Sequence, residues 1–288
     1  MSLPVVITLI TAQLIRPVNL LALFFLTALS GCNNPGLLFA NSLARIDDYQ
    51  VVEDIAYGQH PLNRLSLYKP NGNIKSRPTI IFFYGGCWGG CETLTKESYL
   101  FVAQALTAKG YNVVIPDYRH HPEVKFAAIM QDASAVVEWV STHSADFGGD
   151  PNKLFLMGHS AGAHIAALLT LNETYLKPQS YRSIKGFIGL AGPYDFLPFT
   201  DAYQFIVFGP ATNYHKTQPV NFVDGSEPPL LLLYGNDDSI VRPINIESLT
   251  RIVRQKGGQV EPHRYDGLDH IDILGALSIP LQSHEQVL

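Results

Sequence analysis

The chain has 288 residues, 47% of them hydrophobic and 16% charged, with a formal net charge of −5 at pH 7. That length and apolar content suffice for one large α/β domain, and the acidic balance argues against a nucleic-acid partner. Beyond the N-terminal region no apolar run approaches the length of a membrane span, so the body of the chain is expected to be soluble.

Residues 1–31 hold a single charged side chain, Arg16, followed by the apolar run Val18 to Leu29 and then Leu29-Ser30-Gly31-Cys32. A short apolar core behind a basic residue and before small residues is the pattern of a signal peptide rather than of a spanning helix. The ending Leu-Ser-Gly-Cys resembles the lipobox of bacterial lipoproteins. That resemblance implies cleavage before Cys32, a lipid on Cys32, and an exported protein anchored to a membrane of the cell envelope, facing the periplasm. An ordinary cleaved signal followed by a stray cysteine is the other reading. Residues 32–42 have the Asn, Pro and Gly content of a tether, and the folded domain is expected over 43–288.

Two short alternating runs, Asp48 to Tyr57 and Asn63 to Tyr68, predict an opening antiparallel hairpin. Arg77 to Tyr84 is an apolar run suited to a strand buried on both faces. A helix is expected over Glu97 to Lys109, stopped at Gly110, then a strand over Tyr111 to Pro116 and a long helix over Glu123 to Ser144. Lys153 to Thr170, KLFLMGHSAGAHIAALLT, reads as strand, sharp turn and helix. Further strands are expected at Lys185 to Leu190, Pro229 to Tyr234 and Val260 to Tyr265, with a helix over Ile244 to Lys256. Strands alternating with helices imply an α/β fold, a mostly parallel sheet with helices on both faces. Residues 192–228 are rich in aromatics, Pro and Asn, have no clean period, and are expected to form a cap or insertion over the site.

Gly158-His159-Ser160-Ala161-Gly162, set between an apolar strand and an Ala-rich helix, is a nucleophile elbow: the small residues let the chain turn tightly and expose the serine hydroxyl. Serine needs a base to take its proton. On this framework the acid and the histidine follow the serine in that order. Asp237 and Asp238 both reach the loop after the Leu230 strand. Of the ten histidines, His270 alone stands on the loop after the final strand. His60, His120, His121, His143 and His215 come too early in the chain, with His120-His121 read as a solvated loop pair. His159 and His164 flank the serine and are expected to pack or hydrogen-bond near it, His263 lies inside the last strand, and His284 is in the polar tail.

The motifs GGCW, DYR, GHSAGAH, YGNDDSIV and GLDH resemble those of α/β-hydrolase carboxylesterases of the hormone-sensitive-lipase and feruloyl-esterase-like (BD-FAE-like) group, over roughly Asp48 to Leu277. In that group the acid motif reads H-G-x-x-D-x-x-V, which implies Asp238 as the acid and leaves Tyr234 where histidine is usual. The resemblance implies a serine ester hydrolase acting through Ser160, His270 and Asp238 on a small or medium ester, without cofactor or metal. Arylformamides, thioesters or acetylated sugars could be cleaved by the same machinery, because fold and triad do not fix substrate. A non-catalytic binding protein on the same fold is the rival from another class. The group's glycine turn, H-G-G-x-W, is here Tyr84-Gly85-Gly86-Cys87-Trp88. By position the amides of Gly86 and Cys87, with that of Ala161, form the oxyanion hole. Tyr84 replaces the usual histidine, and its hydroxyl is a candidate brace for the loop. Trp88 is either packing or an acyl-pocket wall.

Three cysteines are present. With Cys32 lipidated, Cys87 and Cys91 are an even pair in an oxidising compartment, which favours a disulfide; two buried thiols packed as hydrophobes is the competing reading. Neither these cysteines nor any histidine pair has the spacing of a zinc site.

Overall fold

The structure is a computed structural model that describes residues 40–42, 44, 49–72, 74–91 and 94–278. The expected signal with Cys32, the tether up to residue 39 and the tail with His284 lie outside the described residues. Ala40 and Asn41, expected in the tether, are instead buried. The Asn41 amide donates to the Ser98 carbonyl at 2.8 Å and its oxygen accepts from the Phe101 amide at 3.2 Å. The packed chain therefore begins before residue 43.

One eight-stranded sheet organises the fold, in the order β1-β2-β4-β3-β5-β6-β7-β8. Its strands are β1 (Tyr49–Ala56), β2 (Arg64–Pro70), β3 (Arg77–Phe83), β4 (Asn112–Pro116), β5 (Gly149–His159), β6 (Ile184–Leu190), β7 (Leu230–Gly235) and β8 (Val260–Tyr265). β1 and β2 form the antiparallel hairpin, and β2 pairs antiparallel with β4; all other pairs are parallel. Parallel neighbours need crossovers, and the chain supplies helices. They are α1 (Leu100–Ala108), α2 (Phe126–His143), α3 (Ala161–Leu171), α4 (Pro178–Ser183), α5 (Ala202–Phe208) and α6 (Ile244–Lys256), with α7 (Asp272–Gly275) following the last strand.

β3 from Ile80 to Phe83 and β4 from Val113 to Pro116 are continuous apolar runs, as strands buried on both faces require; in β4 all five residues are buried. α2 buries Phe126, Ile129, Met130, Ala133, Val136, Val137 and Val140, spacings of three and four that form one face. α1 is preceded by one tighter turn, Lys96–Tyr99, so the expected helix over Glu97 to Lys109 is two elements. Every residue of α3 is buried, which its small and aliphatic side chains permit.

From β3 the chain crosses to β4 on one side and returns to β5 on the other. Ligands in open α/β sheets bind in the crevice outside the carboxyl ends of strands at such a switch point. The expected elbow ends β5, and the glycine-rich turn ends β3.

Residues 192–228 contain α5 and two tight helical turns, Ala211–Thr217 and Pro219–Phe222. Elements of four to seven residues are too short to display a period. An aromatic cluster ties them down: Trp88 stacks on Phe196 at 5.7 Å between centroids and meets Phe208 edge-on at 4.8 Å, and Phe199 stacks on Phe208 at 5.2 Å.

Candidate active site

Ser160 has φ 54° and ψ −123°, with Ala161 opening α3. A non-glycine residue in that region costs on the order of 1–3 kcal/mol, and the structure imposes it by close approach on either side. A Cβ at Gly158 would lie 2.4 Å from the Gly162 carbonyl, and one at Gly162 would lie 2.0 Å from the Phe83 carbonyl oxygen. Larger residues would push the elbow away from β3. The Ser160 amide donates to Leu190 at 2.9 Å and its carbonyl accepts from His164 at 3.1 Å, so the turn is pinned to β6 and to its own helix.

The loop after β8 carries His270 and the loop after β7 carries Asp238. Their side chains meet at 2.8 Å, Nδ1 to Oδ2, in a buried pair. The other Asp238 oxygen, Oδ1, accepts from the amides of Ile240 and Val241, each at 2.8 Å. An ionised carboxylate with three donors needs no further compensation for its burial. Asp237 is exposed, and only its backbone amide is engaged with this region, donating to Leu268 at 3.1 Å. Of the two candidates the sequence leaves on this loop, Asp238 is the one beside His270.

Gly86, Cys87, Trp88 and Gly89 have φ of 102°, 54°, 56° and 92°, a run of four left-handed residues closed by Gly89 N–H to Gly86 O and Gly90 N–H to Cys87 O, both 2.9 Å. Left-handed conformations disfavour side chains, so Cys87 and Trp88 must be held from outside. Cys87 is disulfide-bonded to Cys91, with Cα atoms 5.3 Å apart. The Trp88 carbonyl accepts from the His121 amide at 2.9 Å, and its indole N–H donates to His164 Nδ1 at 3.1 Å. The turn abuts the elbow: a Cβ at Gly85 would lie 3.1 Å from Ser160 Cβ. Trp88 is thus buried packing with a polar tie.

Two expectations are corrected here. His120-His121 is not a solvated pair: both are half-buried, and a Cβ at Gly89 would lie 2.1 Å from the His121 carbonyl oxygen and 2.7 Å from His120 Nδ1. The Tyr84 hydroxyl does not reach the glycine turn; it donates to Asp117 Oδ1 at 2.9 Å. Its ring stacks on Tyr99 and Tyr118, and burial pushes its pKa well above the usual tyrosine value. It braces the end of β4, one strand away.

His159 and His164 are buried. Nε2 of His159 faces the His270 carbonyl at 2.8 Å, and the two rings lie 4.7 Å apart. His164 Nε2 faces the Thr217 carbonyl at 2.6 Å. Burial, then the neighbouring His270, pushes His159 down to about 3, and burial pushes His164 down to about 4. Both are neutral. The sequence marks them as near the serine but not their partners, which come from the distant 217 and 270 segments. Among the described residues no three His, Cys, Asp or Glu gather as metal ligands, and no helix is long and apolar enough to cross a membrane.

The BD-FAE family model matches residues 65–252. Among curated proteins, the isoprenylcysteine alpha-carbonyl methylesterase ICME of Arabidopsis thaliana is 30% identical over 83% of this chain and 60% of its own length. Kynurenine formamidase of Danio rerio is 32% identical over 54% of this chain and 50% of its own. The chain spans between half and about three fifths of the length of the first five curated relatives it matches. A truncated carbohydrate esterase from gut microbiota superposes with a TM-score of 0.70 at 19% identity, covering 82% of this chain and 94% of that one. Esterase 2 of Thermogutta terrifontis superposes with a TM-score of 0.65 at 23% identity, covering 77% and 84%. These structural likenesses show the fold, that of the α/β-hydrolases. The family match runs through β3, its glycine turn, the elbow and the Asp238 loop, and on that match the chain belongs to the BD-FAE family.

Proposed function

We propose that the protein is a serine carboxylic-ester hydrolase working through Ser160, His270 and Asp238. The observation that carries this reading is the buried Asp238–His270 hydrogen bond at the same sheet end as a strained serine elbow. Because an ionised Asp238 can only accept, His270 Nδ1 carries a proton and Nε2 presents a lone pair. Nε2 removes the Ser160 hydroxyl proton as Oγ attacks the ester carbonyl. The tetrahedral oxyanion is stabilised by the amides of Gly86, Cys87 and Ala161. The imidazolium then returns the proton to the departing alcohol, leaving an acyl-serine, and water repeats the sequence to release the acid. Asp238 stays ionised throughout. Each amide of such a hole is worth about 3–4 kcal/mol in the transition state.

Esterase names among the relatives support the reaction class, and the kynurenine formamidase relative supports an arylformamide as a second substrate class. The Leu-Ser-Gly-Cys stretch supports an exported protein held by a lipid on Cys32; Cys32→Ser should move it from the membrane to the soluble fraction with kinetics unchanged. The test of the function is a panel of short-chain esters, acetylated sugars and aryl formamides, assayed with the wild type, Ser160→Ala and His270→Ala. Turnover of at least one class by the wild type, lost by on the order of 10⁴-fold in both variants, is expected. Equal rates in all three would overturn it.

A further inference from the structure

Both histidines that flank the serine are committed by tautomer, His159 to the His270 carbonyl and His164 to the Trp88 indole and the Thr217 carbonyl, and His270 and Trp88 belong to different arms of the machinery. For His164 the assignment is forced. The Trp88 indole N–H can only donate, so Nδ1 must be the acceptor; the Thr217 carbonyl can only accept, so Nε2 must carry the proton. A protonated ring would set Nδ1–H against the indole N–H. For His159, Nε2 faces a carbonyl and carries the proton, and Nδ1 is a buried lone pair with no partner among the described residues, lying against Gly85. A proton on that nitrogen would find no acceptor.

We infer that His159 and His164 are positioning residues for the proposed hydrolysis. His159 sets the backbone of His270, and through it the ring that takes the serine proton; His164 holds Trp88 and thereby the left-handed turn that supplies the oxyanion amides. The inference rests on the esterase reading and deepens it. It also explains why His159, although next to Ser160 in the chain, does not act as its base: its one lone pair, on Nδ1, is buried against Gly85, and the imidazolium formed by taking a proton there would have no acceptor for it. His164 has a second consequence, because Thr217 lies in the 192–228 segment; one imidazole joins the oxyanion turn, the elbow helix and that segment.

The test uses four single variants of the full chain and one double variant. His159→Leu and His164→Leu remove the polar ties while keeping an apolar side chain. His159→Gln keeps an N–H donor near the Nε2 position. Trp88→Phe removes the donor to His164 while keeping an aromatic ring. For each, kcat and KM on the best substrate of the wild type, the rate of fluorophosphonate labelling of Ser160, and the thermal midpoint are measured. His159→Leu and His164→Leu are expected to lower kcat and the labelling rate at least tenfold with KM changed less than twofold, and His159→Gln to recover most of the loss. His164→Leu and Trp88→Phe should be non-additive when combined, since they break the same bond. Wild-type kcat in a folded His159→Leu or His164→Leu variant overturns the assignment for that residue. So does failure of His159→Gln to recover kcat at an unchanged midpoint, or additivity of the Trp88 and His164 changes. If a leucine variant fails to fold, the glutamine variant and Trp88→Phe decide its arm. A wild-type protein that is never labelled at Ser160 refutes the esterase reading instead, so the two failures are distinguishable.

Discussion

Asp238→Asn should sharply lower turnover for a reason that can be traced atom by atom. Oδ1 of Asp238 accepts two backbone amides, from Ile240 and Val241, each at 2.8 Å, and Oδ2 accepts His270 Nδ1 at 2.8 Å. An asparagine has one oxygen. Turning its NH₂ toward the two amides would set donors against donors and leave both N–H groups unsatisfied, at about 1–3 kcal/mol each. The oxygen therefore stays on the amides and the NH₂ faces His270. Nδ1 must then accept, the ring proton moves to Nε2, and the nitrogen meant to take the serine proton is blocked. Loss of the correct tautomer in a serine triad lowers kcat by on the order of 10⁴, whereas the fold loses roughly the difference between a charged and a neutral hydrogen bond, about 1 kcal/mol. Asp237→Asn, on an exposed neighbour, should change kcat less than about twofold on the same reasoning. Steady-state kinetics with a chromogenic ester and thermal melts of both variants make the comparison. An Asp237→Asn enzyme as impaired as Ser160→Ala, beside an active Asp238→Asn enzyme, would refute the acid assignment.

Gly162→Ala should be severe, because its methyl would lie 2.0 Å from the Phe83 carbonyl oxygen where real contacts do not fall below 3.0 Å. Overpacking of about 1–3 kcal/mol or more should lower the thermal midpoint by several degrees and depress kcat by shifting the glycine turn; an unchanged melt and unchanged kcat would contradict this. Oxidised, unfolded protein should show no reactive thiol at Cys87 or Cys91, and mild reduction should lower kcat with KM and the melt little altered. Two free thiols without reductant, or full kcat after reduction, would count against the bridge's role. Stability should fall with acid through two groups. His159 and His164 titrate near 6.5 when unfolded but at about 3 and about 4 when folded. Below 6.5 the unfolded chain binds protons that the folded protein refuses, so the stability they supply is present above that pH and is lost as pH falls toward the folded values. From pH 7 to pH 5 the loss is about 2 kcal/mol for each. Urea unfolding at both pH values measures it, and His164→Leu should remove its share; a slope unchanged by that substitution would show that His164 is not held neutral.

Much of the fold was legible because its signals are local. The apolar runs of β3 and β4, the three-and-four spacing in α2, and Gly110 at φ 92° ending α1 each act within a few residues. The elbow was legible because its glycine spacing is written within five residues, although the contact that demands Gly162, with the Phe83 carbonyl, comes from another strand. What escaped was whatever depends on a distant partner. Nothing local to Tyr84 reveals Asp117 at the end of the neighbouring strand, so its position alone points to the glycine turn. Polar loop residues such as His120-His121 usually face solvent; the glycine turn comes to lie against them only once the strands assemble. The roles of His159 and His164 depend on carbonyls 111 and 53 residues away, and no spacing rule predicts those. Between Asp237 and Asp238, adjacency makes composition silent, and only the direction in which the loop turns each side chain separates them.

The most direct measurement is peptide mass spectrometry of the protein after a fluorophosphonate probe. A single adduct on Ser160, formed by the wild type, absent from Ser160→Ala and strongly slowed in His270→Ala, is the predicted result. A wild type that stays unmodified at Ser160 while still hydrolysing esters, or one labelled as fast without His270, would contradict the proposed machinery.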